Sequence, residues 1–131
     1  MNITYKNTKA FTKQQIEQLF QSVEWESGKY PDMLVKAMLG TSTVFSAWDG
    51  DTLIGLVSTM DDGIMNAYTH YLLVNLNYQG NSIGKELMNQ VKEYYKEYKT
   101  LILIASEGKS GFYEAVGYTA HPNSTAMFLK S

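Results

Sequence analysis

The chain contains no cysteine and only two histidines, His70 and His121. The first absence excludes disulfides, thiolate metal sites and a cysteine nucleophile, and nothing in the composition marks an oxidising compartment, so the expected location is cytoplasmic. The second leaves no cluster of metal ligands and no persuasive Ser, His and acid triad, so no metal is expected. Charge of one sign is also scarce: 11 Lys plus Arg stand against 13 Asp plus Glu, a net charge of −2, and no basic run forms a patch. That excludes the electrostatic footprint of a nucleic-acid binder. No apolar run approaches the roughly 18 residues needed to cross a bilayer, and the segment from Met1 to Phe11 lacks the basic start and apolar stretch of a secretory leader. Neither membrane insertion nor secretion is expected.

What is present is the material of a folded core. Hydrophobic residues make up 44% of the chain and charged residues 18%, which excludes a disordered or fibrous class. Aromatics reach 13%, with ten Tyr, more than a surface requires, so some are expected to line a cavity. A length of 131 residues fits one domain, 1–131.

Asn2 to Lys6 alternates in strand fashion, and Thr12 precedes Gln15 at capping-box spacing before Ile16, Leu19, Phe20 and Val23 recur at helical intervals. A helix is expected from Lys13 to Glu24, then a loop from Trp25 to Tyr30, then a second helix from about Met33 to Gly40. Thr43 to Trp48 and Thr52 to Met60 flank Asp49, Gly50 and Asp51, which predicts an antiparallel hairpin. After a turn at Asp61, Asp62 and Gly63, the run Tyr68 to Leu76 predicts a strand buried on both faces. Ile83, Leu87, Met88, Val91, Tyr94, Tyr95 and Tyr98 share one face of a long helix, and Leu101 to Ala105 reads as a strand parallel to the one before that helix. A short helix from Gly111 to Val116 and a last strand from Ala126 to Leu129 complete the reading.

Gln79, Gly80, Asn81, Ser82, Ile83 and Gly84 lie between the long strand and the long helix, where free backbone N–H groups and the helix dipole attract an anion. The alternative is that Gly80 only turns the chain while Asn81 or Ser82 only caps the helix. Two nucleotide motifs fail here. The ATPase phosphate loop requires four residues between its glycines, whereas three separate Gly80 from Gly84, and Glu86 replaces the hydroxyl that should ligate magnesium. A dinucleotide G-x-G-x-x-G pattern is absent.

The loop does resemble the [QR]-x-x-G-x-[GA] signature of the GNAT superfamily of acyl-CoA-dependent N-acetyltransferases. Tyr71, Leu72, Leu73 and Val74 match the hydrophobic strand found upstream of it, and Phe112 to Tyr118 matches a later F-Y-E-x-x-G-[FY] segment. The order of elements agrees over essentially the whole chain. The resemblance implies a GNAT-like α/β (α+β) fold: a mixed, mainly antiparallel sheet, a parallel pair at the strand, loop, helix, strand crossover, and helices on both faces. One position departs from the pattern, since Ser82 stands where glycine usually lets the backbone approach a pyrophosphate.

By the same resemblance, acetyl-CoA is the cosubstrate. The backbone of Leu73 and Val74 would pair with its pantetheine arm, amides from Gln79 to Lys85 would hold the pyrophosphate, and Phe112 would pack beside it. Tyr113 would protonate the departing thiolate. For the general base, His70 is the first candidate, on the strand just upstream and with an ordinary pKa of about 6.5; Asp61, Asp62, Glu24 and Glu26 are its rivals. The acceptor would be a primary amine, on a small molecule in preference to a protein terminus, attacked directly with no covalent enzyme intermediate. A noncatalytic CoA-binding or ligand-sensing module on the same scaffold stays open, and so does homodimerisation, which is common in proteins of this kind.

Overall fold

In the computed structural model, which describes residues 2–130, five strands form one sheet in chain order: β1 (Ile3–Lys6), β2 (Thr43–Asp49), β3 (Thr52–Asp61), β4 (Asn66–Val74) and β5 (Thr100–Leu103). The first four pair antiparallel and β5 runs parallel to β4, the mixed sheet expected from the sequence. The β2–β3 hairpin closes at Gly50, whose φ of +60° is one that a side chain disfavours. These two strands, not β4, are the ones buried on both faces.

Helices cover both sides. On one face α1 (Lys13–Ser22) and α2 (Pro31–Gly40) bury Ile16, Leu19, Phe20, Leu34 and Met38 against Val44, Leu56 and Leu73. Full burial of such side chains stabilises by about 1.5–3 kcal/mol each before entropy is counted. The expected capping box starts α1: Thr12 Oγ1 accepts from Gln15 N at 3.1 Å, and Thr12 N donates to Gln15 Oε1 at 2.9 Å. Pro31 opens α2, where its missing N–H costs nothing. On the opposite face α3 (Ile83–Tyr94) buries Ile83, Leu87, Met88 and Val91, and Tyr113, Val116 and Tyr118, in and just beyond α4 (Ser110–Ala115), join the same cluster. No helix among the described residues is long and apolar enough to cross a membrane.

Two irregularities shape β4. Ser58 pairs with Tyr71 and Thr59 with Thr69, so His70 is an extra residue in a β-bulge. Ser58 Oγ accepts from Tyr71 N at 3.2 Å just past the bulge. The β4–β5 pairing covers only Asn66–Thr69 against Thr100–Leu103. Beyond Thr69, β4 has β3 on one side and no strand on the other.

The sequence expectations need correction at several places. The Tyr68 to Leu76 run is half exposed, because its outer edge lies open, and it stops at Val74 where a 3-10 turn, Leu76–Tyr78, begins. Residues 126–129 form no strand; Met127, Phe128 and Leu129 are exposed, since an apolar run sets only a local preference and a ladder needs a partner. The first helix stops at Ser22, and Glu24 takes a left-handed φ of 57°. A 3-10 turn, Glu26–Lys29, fills what reads as a loop in the sequence. Tyr95 is buried at the end of α3, while Tyr94 points mostly to solvent.

Tyr95 Oη lies 2.6 Å from Thr59 Oγ1 and donates to Asp61 Oδ2 at 2.7 Å, joining the end of α3 to β3. Burial, the largest influence, drives its pKa well above the usual phenol value, so it stays protonated. Tyr95→Phe should cost about 1–2 kcal/mol in urea unfolding, because Thr59 keeps its contact to Thr43 O and only Asp61 must turn to water. In the β3–β4 turn, backbone N–H groups of Met65, Ile64 and Asn66 pull the Asp62 pKa down to about 2. A depressed folded-state pKa stabilises above the unfolded value near 3.9, and that contribution is lost as pH falls towards 2. Protection factors of the Met65 and Asn66 amides, taken relative to intrinsic exchange, should fall across this window in the parent and show no such step in Asp62→Asn.

Candidate functional site

Where β4 leaves β5 the sheet opens, and a cavity of about 790 Å³ occupies the gap. Leu73 and Val74 contribute the open edge of β4. A strand edge without a neighbour presents backbone N–H and C=O groups able to take an extended ligand as an added strand. The amide-bearing arm expected from the sequence fits such an edge.

The loop after β4 forms the next wall. Tyr78 Oη donates to Asp49 Oδ2 at 2.7 Å, tying the 3-10 turn to the end of β2. Gln79 Nε2 reaches back to Val74 O at 3.2 Å, and Asn81 Nδ2 donates to Tyr78 O at 2.9 Å. These contacts fold the loop over the strand end, so that Gln79, Gly80 and Ser82 line the cavity together with Ile83, Gly84 and Lys85. Asn81, whose side chain turns back into the loop, does not.

Ser82 occupies the N-cap of α3 in a left-handed conformation, φ 60° and ψ 20°, and its side chain makes no capping hydrogen bond. Capping, the alternative weighed for Asn81 and Ser82, therefore does not account for either side chain. The first intrahelical bond runs from Glu86 N to Ser82 O, leaving the amides at the start of α3 to face the opening with the helix dipole behind them. That geometry suits a pyrophosphate. The backbone adopts the turn that glycine would allow freely, and the serine Cβ is held in it at a cost.

Gly84 explains why two motifs far apart in the sequence belong together. A Cβ there would sit 3.3 Å from Phe112 Cζ and 3.8 Å from Val74 Cγ2. The absence of a side chain lets the Phe112 ring close against the first turn of α3, so α4 and the loop share one cavity. Tyr113 follows on the same wall; burial, and then the neighbouring Tyr118, raise its pKa, which keeps the phenol protonated at neutral pH. Lys109 and Ser106, from the turn between β5 and α4, also line the cavity. They escape sequence reasoning because only folding brings that turn opposite α3, although Lys109 lies just ahead of the F-Y-E segment.

His70 is the only one of the five candidate bases that lines the cavity. The bulge turns its ring onto the same face as Tyr71, stacked at 4.1 Å between centroids, and burial pulls its pKa below 6.5. The acids lie elsewhere. Asp61 receives the Tyr95 hydroxyl and Asp62 closes the turn before β4, while Glu26 pairs with Lys29 at 3.1 Å and Glu24 is exposed. Trp25, at the start of the loop expected between the first two helices, lines the cavity on the α1 side. Among the described residues no group of acidic, His or Cys side chains is placed to hold a metal.

Because Ser82 makes no capping bond, replacing it by glycine removes strain and loses no contact. Ser82→Gly should raise stability by about 1 kcal/mol in thermal or urea unfolding. Gly84→Ala should do the reverse and displace Phe112, seen as altered near-ultraviolet dichroism.

Residues 7–128 match the model of the acetyltransferase (GNAT) domain. An uncharacterised N-acetyltransferase of Prochlorococcus marinus is 32% identical over 115 residues, 82% of this chain and 63% of that protein's length. Another, from Porphyra purpurea, is 28% identical over 129 residues, 93% of this chain and 73% of the relative. A GNAT-family acetyltransferase structure from Streptococcus pneumoniae superposes with a TM-score of 0.85 at 27% identity, covering 99% of this chain and 98% of its own. The open β4 edge, the turn into α3 and the Phe112–Tyr113 wall thus sit in a chain that belongs to the GNAT acetyltransferase family.

Proposed function

We propose that residues 1–131 form one N-acetyltransferase domain that moves the acetyl group of acetyl-CoA to the primary amine of a small molecule, in the cytoplasm. One observation carries this reading. The free edge of Leu73–Val74, the amides at the start of α3 and the protonated Tyr113 border a single cavity of about 790 Å³. A thioester supplies the activated acyl carbon, and the chain's own residues hold, orient and move protons.

The β4 edge aligns the pantetheine arm, with Phe112 packed beside it, and the loop from Gln79 to Lys85 anchors the diphosphate. Lys85 and Lys109 add positive charge there. His70 takes the proton of the incoming ammonium, directly or through one water, and its lowered pKa keeps the imidazole neutral near pH 7. The amine nitrogen then bonds to the acyl carbon, the carbon–sulfur bond breaks, the thiolate takes the Tyr113 proton, and the nitrogen's surplus proton restores the phenol directly or through water. Nothing here requires an acyl-enzyme.

Acetyl-CoA should raise the melting temperature of the protein, and amines should release free thiol from it. Tyr113→Phe should lower kcat at least about tenfold with the acetyl-CoA affinity little changed. In the parent, kcat should rise with pH through an apparent pKa below 6.5, because only the neutral imidazole accepts a proton. His70→Gln should lower the plateau and abolish that limb. A melting shift without thiol release from any amine would favour the sensing module over the enzyme.

A further inference from the structure

Four rings stand in a row on the α1 side of the opening. Tyr68 and His70 stack at 5.7 Å between centroids, His70 and Tyr71 at 4.1 Å, and Tyr71 and Trp25 at 6.0 Å, with successive planes tilted by 30°, 28° and 35°. Phe20, fully buried, meets both Tyr71 and Trp25 edge-on at 5.4 and 6.1 Å and fixes them from behind. The segment carrying Trp25 is itself pinned: Glu24 holds a left-handed turn before it, and Gly28 N donates to Trp25 O at 2.9 Å. A Cβ on Gly28 would come within 3.2 Å of Phe20 Cβ, so this 3-10 turn packs directly on α1. Trp25 and His70 turn this row toward the cavity. The wall is built before any ligand arrives.

Charge narrows what can lie against it. Among the described residues lining the cavity none is Asp or Glu, and the two lysines, Lys85 and Lys109, belong to the α3 and α4 starts. All 11 basic residues of the chain are lysines, so no guanidinium fork is available for a phosphate or carboxylate on the acceptor. A polyamine or an amino sugar would find neither counter-ions nor a set of hydroxyl partners on the rings. An uncharged flat body finds a matching face.

Resting on the acetyl-transfer reading above, we propose that the acceptor is an arylalkylamine: a primary amine on a short arm, its aromatic body lying against Trp25 and His70, with Tyr71 packed between them. The ammonium meets the Trp25 ring and no carboxylate, which would hold its proton more tightly. It therefore reaches His70 in a form easier to deprotonate. Trp25 determines specificity and takes no part in the bond changes.

The test compares 2-phenylethylamine and tryptamine with spermidine and glucosamine in a thiol-release assay at saturating acetyl-CoA. The aromatic amines should lead by roughly tenfold or more in kcat/KM. Trp25→Leu, which keeps an apolar side chain but no flat face, should erase that lead with the acetyl-CoA melting shift intact, and Trp25→Phe should retain most of it. Preference for spermidine or glucosamine, or an undiminished aromatic lead in Trp25→Leu, would overturn the proposal and leave the acetyl-transfer reading standing. Absence of any acetyl-CoA shift in the parent would instead remove that reading. Calorimetric titration with 2-phenylethylamine then decides the wall alone: heat of binding lost in Trp25→Leu supports it, and no binding to the parent refutes it.

Discussion

The structure turns on the place where β4 and β5 separate. Their parallel ladder ends at Thr69 and Leu103, and in the next residue of β4 an extra amino acid, His70, breaks the register with β3. The bulge re-aims the rest of the strand, so that Leu72 to Val74 keep β3 as a neighbour and lose any partner on the outer side. An open edge inside a sheet is normally a liability, because its polar backbone groups need satisfaction. Here the gap is walled by the loop into α3 and by α4, and it becomes a cavity bordered by that edge, with Val74 O already accepting from Gln79 Nε2.

Each wall reaches the gap through a different constraint. The loop is drawn in by Tyr78 on Asp49 and by Gln79 on Val74. The start of α3 and the start of α4 close on each other because Gly84 leaves room for the Phe112 ring. On the other side of the sheet, the aromatic row rests on Phe20, which the α1 side of the core buries completely. A left-handed Ser82 and a left-handed Glu24 are the local costs, one at each end of the opening. Strain of this sort persists where surrounding packing over-determines the backbone.

Much of this was legible beforehand. The capping box at Thr12 and Gln15, the Asp49 to Asp51 hairpin and the amphipathic α3 all rest on local chemistry, and they form where expected. The loop from Gln79 to Lys85 and the segment at Phe112 also read directly, since each is a short run with its own spacing. Less legible were the features that need a second segment. Periodicity shows an apolar run from Tyr68 to Leu76, but whether both faces are covered depends on how far β5 follows, and β5 stops at Leu103. The apolar run at Ala126 to Leu129 is real, yet without a partner ladder it yields no strand.

The sequence by itself determined the elements, their order and the two motifs that mark the family, because turn residues, caps and helical spacing act over a few neighbouring residues. Tertiary structure alone decided which candidate base faces the cavity, that Ser82 carries a glycine-like backbone, and that Trp25 and His70 line one cavity with Tyr71 packed between them. The reason is physical. A bulge, a left-handed turn and a ring stack are each enforced by packing between segments distant in the chain, and no local pattern encodes contacts of that range.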